Sequence, residues 1–181
     1  MDRNLPGILR LVVQVDDPLS AGRDLIGVCL AAEQGGASAI LLGPSGACGR
    51  ELAQGARVLL ARLGVPLLLS SRADIALAVG AAGVHLDVQD VPVPMIRRIA
   101  PRGFLIGATV GTPQGVEGGR GADYWAIGPW ASDEAKGLGS SGFAGLARRA
   151  EGRPCIASGA SREVLQDVLD AGGVGIVLPR V

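Results

Sequence analysis

Lys136 is the one lysine of the chain, against sixteen arginines, and it stands in the loop GPWASDEAKGLG (128–139). A compact ammonium among glycines suits a phosphate oxygen; the alternative is a solvated loop lysine. The stretch SGAS (158–161) could complete an anion site. Small residues before a helix start let backbone N–H groups approach a phosphate, and Ser161 can cap the helix. A plain strand-to-helix turn has the same composition. Arg180 adds a guanidinium from the far end of the chain. Asp87 and Asp90 are near enough in sequence to share a small metal ion, while Asp90 alternatively caps the helix that begins in VPVP. His85 is the only histidine, which excludes a multi-histidine metal centre within the chain.

These residues need a scaffold, and the hydrophobic pattern supplies one. Short β-rich runs alternate with Ala/Leu/Arg-rich amphipathic stretches. The strands are expected at 8–15, 38–43, 65–70, 83–87, 103–109, 123–130, 154–158 and 174–179. Helical periodicity separates them, with Ser20 as a cap for the first helix and Gly35-Gly36 as its stop. Asp16 and Asp17 are further candidates for capping it. The stretch TPQGVEGGRGA carries four glycines, so its helix should be short, frayed or absent. Eight strands with intervening helices imply an all-parallel sheet, and eight βα units close into a TIM (β/α)8 barrel. The open doubly wound sheet is the runner-up. The chain reads as one barrel domain over 1–181, ending just after strand eight without the final helix. The uncovered flank predicts a homo-oligomer, the alternative being that the sequence is a shortened piece of a longer chain.

In such barrels the chemistry sits at the C-terminal ends of the strands. That places Ser70, Ser71 and Arg72 after strand three, Asp87 and Asp90 after strand four, and Thr109 after strand five. Lys136 follows strand six, Ser158, Gly159 and Ala160 follow strand seven, and Arg180 follows strand eight. Phosphate is often held by the loops after strands seven and eight. Arg72 alternatively forms an ion pair at its helix start. His85 is read as a structural barrel histidine, with proton transfer as the other possibility. Trp125 and Trp130 read as packing residues, with Trp130 a candidate for stacking on a heteroaromatic ring.

Bulk properties exclude several classes. Formal net charge is zero, so no basic field would attract nucleic acid or an anionic membrane. No apolar run reaches the ~20 residues of a membrane span, and the first ten residues lack a signal-peptide core. Cys29, Cys48 and Cys155 are scattered and odd in number, which reads as inert thiols in a reducing cytoplasm.

The segments GVHLDVQDVP (83–92) and GADYWAIGP (121–129), with Lys136 beyond them, resemble thiamine phosphate synthases and the related TenI-type thiazole tautomerases. The order of PLLLSSRADIALAVGAAGVHL ahead of them matches too. The resemblance covers nearly the whole chain. It implies a barrel that joins a pyrimidine diphosphate to a thiazole phosphate, expelling pyrophosphate with Mg2+. The ligand would be a small phosphorylated heteroaromatic.

Carried over by position, the match is incomplete. The Gln-Leu-Arg-x-Lys of those synthases falls on Leu41, Leu42, Gly43, Pro44 and Ser45, so both cations are absent. Their Asn-Asp pair falls on Ser70 and Ser71, and their second magnesium carboxylate is kept as Asp90. Their serine after strand five becomes Thr109. Their Thr-x-Thr-Lys keeps only Lys136, behind Asp133, Glu134 and Ala135. The Gly-Gly phosphate turn becomes Gly159-Ala160, and the serine after strand eight becomes Pro179. The tautomerase histidine falls near Gly111. Arg50, Arg72 and Arg180 are possible substitutes for the missing cations.

The resemblance implies Lys136 and Thr109 as catalytic residues and Asp90 as the metal ligand. Lys136, Ser158, Gly159, Ala160, Arg180, Ser70 and Arg72 would bind substrate or phosphate. Three functions stay open: a transferase with altered ligands, a non-catalytic binder of a phosphorylated heteroaromatic acting as sensor or partner protein, and a metal-assisted enzyme using Asp87 and Asp90.

Overall fold

A computed structural model describes residues 4–16, 24–43, 49–130 and 137–178. Eight parallel strands form a closed barrel in sequence order: β1 (Leu11–Val15), β2 (Ala39–Leu42), β3 (Leu67–Ser70), β4 (Gly83–Leu86), β5 (Leu105–Val110), β6 (Tyr124–Ile127), β7 (Cys155–Ser158) and β8 (Gly175–Leu178). Closure is made by β1, where Val12 pairs with both Ala39 of β2 and Val177 of β8. The expected barrel is therefore present, and the open sheet is not.

The alternation of side chains divides the core in two. Val12, Leu41, Leu68, Leu105, Tyr124 and Ile156 belong to the cluster that fills the barrel. Ile40, Leu69, Val84, Ile106 and Ile127 belong to the larger cluster between strands and helices. Apart from β4, whose inward positions are Gly83 and His85, the strands are thus apolar on both faces, as expected for a sheet covered by helices.

Eight helices are described: α1 (Leu5–Ile8), α2 (Leu25–Gln34), α3 (Gly49–Leu60), α4 (Ala73–Val79), α5 (Val93–Ile99), α6 (Pro113–Gly118), α7 (Gly139–Ala147) and α8 (Leu165–Asp170). None is long and apolar enough to cross a membrane. The strand expected from residue 8 begins at Leu11, because α1 takes the residues before it. Asn4 caps α1 by accepting from Gly7 N–H, and a proline stands in its first turn. Leu5 and Ile8 pack on the barrel-filling cluster and cover its N-terminal end.

Three capping expectations are corrected. Asp24, not Ser20, Asp16 or Asp17, caps α2, accepting from the amides of Ile26 and Gly27. Ser20 and Asp17 lie outside the described residues. Pro92, not Asp90, precedes α5. Ser161 makes no side-chain cap bond to the 3-10 turn Arg162–Val164 that leads into α8. Its hydroxyl bonds the Glu163 carboxylate and holds that group below its usual range. The glycine-rich segment does form a helix, six residues long and capped by Thr112.

Outside β1 and β8, Leu11, Val13, Val28, Ala31 and Leu178 line an apolar groove of about 330 Å³. Arg162 spans it to donate to the Gly35 carbonyl at 3.2 Å. Burial pushes the Cys29 thiol up to about 12 and the Cys155 thiol to about 11, which keeps both protonated and unreactive. Cys48 lies outside the described residues.

Candidate functional site

The barrel's C-terminal mouth is built from the inward positions at the strand ends. Ladder register sets Ser70 beside His85, and His85 beside Gly107. Two residues on, Thr109 pairs with Ala126 of β6. His85 and Thr109 meet: Nε2 lies 3.0 Å from Thr109 Oγ1. On its other side, His85 Nδ1 lies 3.1 Å from the Tyr124 hydroxyl, with the two rings stacked at 5.6 Å. His85 is the one buried polar or charged residue among those described. Burial depresses its pKa to about 4 despite the pull of Asp87 and Asp90, so the ring is neutral at pH 7.

The end of β3 is strained. Ser71 has φ 63°, in the left-handed region that serine rarely adopts. Its N–H donates to the His85 carbonyl at 2.8 Å, and Arg72 N–H folds back to Ser70 O at 2.7 Å. These two bonds fix the turn, and strain of this kind gathers at ligand sites. Arg72 is committed elsewhere. Its Nε and Nη2 donate to Asp74 at 2.9 and 2.7 Å, which holds the Asp74 carboxyl below its usual range. The ion-pair alternative for Arg72 is what the structure contains.

After β4 the chain closes a small loop on itself. Asp90 Oδ2 accepts from Asp87 N–H at 2.7 Å, and Asp90 N–H donates to Asp87 O at 3.0 Å. Asp87 Oδ1 accepts from Val88 N–H. Asp87, Asp90, Pro92, Thr109 and Gly115 help to line a cavity of about 90 Å³ beside this loop. Thr109 and Asp90 both border this cavity, whose other walls include Leu86, Val93 and Ala108 of the strand–helix core. Among the described residues no group of three His, Cys, Asp or Glu could hold a metal ion alone.

Opposite lies the end of β7. Gly159 has φ 71°, and Ala160 is buried. The Ser158 carbonyl accepts from Trp130 N–H at 2.8 Å. A Cβ at Gly128 would strike that carbonyl, so glycine permits the β6 and β7 loops to close on each other. Ser158, Gly159 and Ala160 thus form one wall of the mouth. Trp130 is buried edge-on against Phe143 at 5.5 Å and does not offer a face to a ligand. Trp125 is buried too, its indole N–H donating to Gly119 O. Lys136 and Arg180 lie outside the described residues, as do Pro44, Ser45, Asp133, Glu134, Ala135 and Pro179.

Two features of the mouth were not singled out from sequence. Tyr124 reaches His85 from β6; its signal is the register pairing of Gly107 with Tyr124, a large inward residue facing a glycine. Gln14 donates to both Asp16 carboxylate oxygens at 3.0 Å, and Asp16 lies over Gly43, where a Cβ would collide with it.

The family model for thiamine monophosphate synthase matches residues 11–180. A thiamine-phosphate synthase of Methanoculleus marisnigri is 35% identical, the alignment covering 93% of this chain and 84% of the relative. One from Chloroflexus aurantiacus is 34% identical over 93% of this chain and 82% of its own. Among solved structures, the thiamine phosphate pyrophosphorylase of Pyrococcus furiosus superposes with a TM-score of 0.79 at 29% identity, covering 97% of this chain and 87% of that one. A phosphoribosyl anthranilate isomerase from Thermus thermophilus shares the fold at TM-score 0.62 and 15% identity, covering 94% of this chain and 86% of the other.

Proposed function

Since the chain belongs to the thiamine monophosphate synthase family, we propose that its mouth joins a pyrimidine diphosphate to a thiazole phosphate. The bond from the pyrimidine methylene to the diphosphate oxygen breaks, and its electron pair leaves with pyrophosphate. The thiazole nitrogen then donates its lone pair to the methylene carbon. No proton need move, so catalysis is the stabilisation of the departing anion and the positioning of two flat rings. The observation that carries this reading is the His85–Thr109 pair at 3.0 Å, made by the residues that fall on the family's motif positions.

The wall of Ser158, Gly159 and Ala160 supports a phosphate site, to which Lys136 and Arg180 would bring charge. Asp90 fits a magnesium ion held mainly by substrate. One of its oxygens braces the loop, no hydrogen bond to the other is formed among the described residues, and the cavity beside it also meets Thr109. Magnesium takes one or two carboxylates, with phosphate oxygens and water filling its octahedron. When bound there, the ion would neutralise charge on the leaving pyrophosphate. Asp90 would hold it, and Thr109 would orient the anion.

Ser70 and Ser71 carry no carboxylate, and Arg72 is paired with Asp74. Each missing ion contact at the transition state costs about tenfold in rate per 1.4 kcal/mol. The expected enzyme is slow. The decisive assay is magnesium-dependent pyrophosphate release from the two substrates by the folded protein; release no faster than in buffer overturns the reading. The same eroded corner favours a second reading, a barrel that binds the phosphorylated ligand without turnover. It is marked by a ligand-induced rise in Tm with no pyrophosphate formed.

A further inference from the structure

We infer that Tyr124 and His85 act together as positioning residues that fix the Thr109 hydroxyl as a hydrogen-bond donor toward the ligand. This rests on the proposed site at the barrel mouth.

The argument is one of hydrogen-bond accounting in a buried chain of three groups. Tyr124 is 1% exposed, and among the described residues its hydroxyl has one partner, His85 Nδ1 at 3.1 Å. Burial raises the phenol pKa, so the hydroxyl keeps its proton. That proton needs an acceptor, because a buried donor left unpaired is costly. Nδ1 can accept it only in the tautomer that carries hydrogen on Nε2. Nε2–H then donates to Thr109 Oγ1 at 3.0 Å. With one lone pair of Thr109 occupied, its own O–H must be donated elsewhere. No other partner of Thr109 Oγ1 is found among the described residues, and the residue is half-buried at the mouth, beside the cavity it shares with Asp90.

Run in reverse, the chain fails. If Thr109 donated to Nε2, then Nδ1–H would donate to Tyr124 and the phenolic hydrogen would have no acceptor. A charged imidazolium fails for the same reason and would also be buried. Asp87 and Asp90 are the carboxylates that pull on it, and burial outweighs them. The mouth therefore presents a hydroxyl of fixed polarity. The ligand atom that receives the Thr109 hydrogen carries a lone pair, as a phosphoryl oxygen or an aromatic ring nitrogen does.

The single histidine makes the test direct. Protein labelled with 15N in histidine yields one imidazole, whose two nitrogens report the tautomer. At neutral pH the expected state is neutral with hydrogen on Nε2; hydrogen on Nδ1, or an imidazolium, overturns the inference. This measurement needs no variant and no ligand, so it separates failure of the inference from failure of the proposed function. Binding is read with inorganic pyrophosphate in magnesium. Thr109→Val and Tyr124→Phe should each weaken it about tenfold, and Thr109→Ser should retain it. The double variant Tyr124→Phe/Thr109→Val should be no weaker than Thr109→Val alone. Losses that multiply would show that Tyr124 does not act through Thr109. Wild-type protein that binds no pyrophosphate yet shows the Nε2–H tautomer would overturn the role toward phosphoryl oxygen and leave ring nitrogen as the acceptor.

Discussion

The ring of Tyr124 occupies the space that a side chain at residue 107 would need. The two residues are register partners on β6 and β5, and a Cβ at Gly107 would collide with Tyr124 Cζ. Glycine at 107 is thus what lets the phenol reach His85.

Gly107→Ala should therefore cost about 1–3 kcal/mol, the usual penalty for overpacking a core. Urea denaturation measures it. The ring must also shift, so the single imidazole should lose its uniform tautomer. An unchanged midpoint with an unchanged imidazole signal would show that the core relaxes around the methyl.

Acid sensitivity follows from His85. Folding lowers its pKa from the ordinary 6.5 to about 4, so the unfolded chain binds more protons between those values. Its contribution to stability is complete above 6.5 and is lost as the pH falls toward 4. The full loss is about 3 kcal/mol, at 1.36 kcal/mol per pKa unit. Urea midpoints at about pH 7, 5.5 and 4.5 should fall in that order. The fall should be smaller in His85→Gln, which cannot titrate. Parallel pH profiles for the two proteins would assign the acid sensitivity to other groups.

Asp90 has two separable duties. Asp90→Asn keeps an oxygen to accept from the Asp87 amide, so the loop and its melting temperature should hold within about 0.5 kcal/mol. Asp90→Ala loses the brace and should cost about 1 kcal/mol. Both should lose the magnesium enhancement of pyrophosphate binding, measured by calorimetry. Enhancement that survives in Asp90→Asn would place the ion elsewhere.

The strained corner after β3 offers a gain of function. Ser71 sits at φ 63°, which asparagine and aspartate tolerate better than most residues. Ser70→Asn with Ser71→Asp restores the pair that the resemblance places there. The expected result is tighter magnesium dependence and at least tenfold faster pyrophosphate release with no loss of stability. No gain in rate would mean that the missing cations after β2 limit the reaction.

The barrel was legible because its signal is repeated: each of eight strands is a short apolar run, and the first seven are each followed by a helical stretch. Boundaries were less legible. α1 hid inside an apolar run whose β-branched half continues directly into β1, and only Asn4 and Pro6 mark it. Asp24 does not stand out in the sequence as a cap, because Ser20 stands earlier at an equally suitable spacing. At the site, Thr109 and Asp90 could be named because each ends a strand. Tyr124 could not, because its role depends on a glycine seventeen residues earlier that only the register brings beneath it. Arg72 was ambiguous for a related reason: a guanidinium two residues from Asp74 can face a ligand or its own helix, and the short path to Asp74 wins.

Leu5 and Ile8 lie against the apolar filling of the barrel at its N-terminal end, while Ser70, His85, Thr109 and Ser158 stand at the other. The molecule is in this sense a cup and not a tube. What enters a cup by the rim must leave by it. A small leaving anion and a larger joined product would share the same exit.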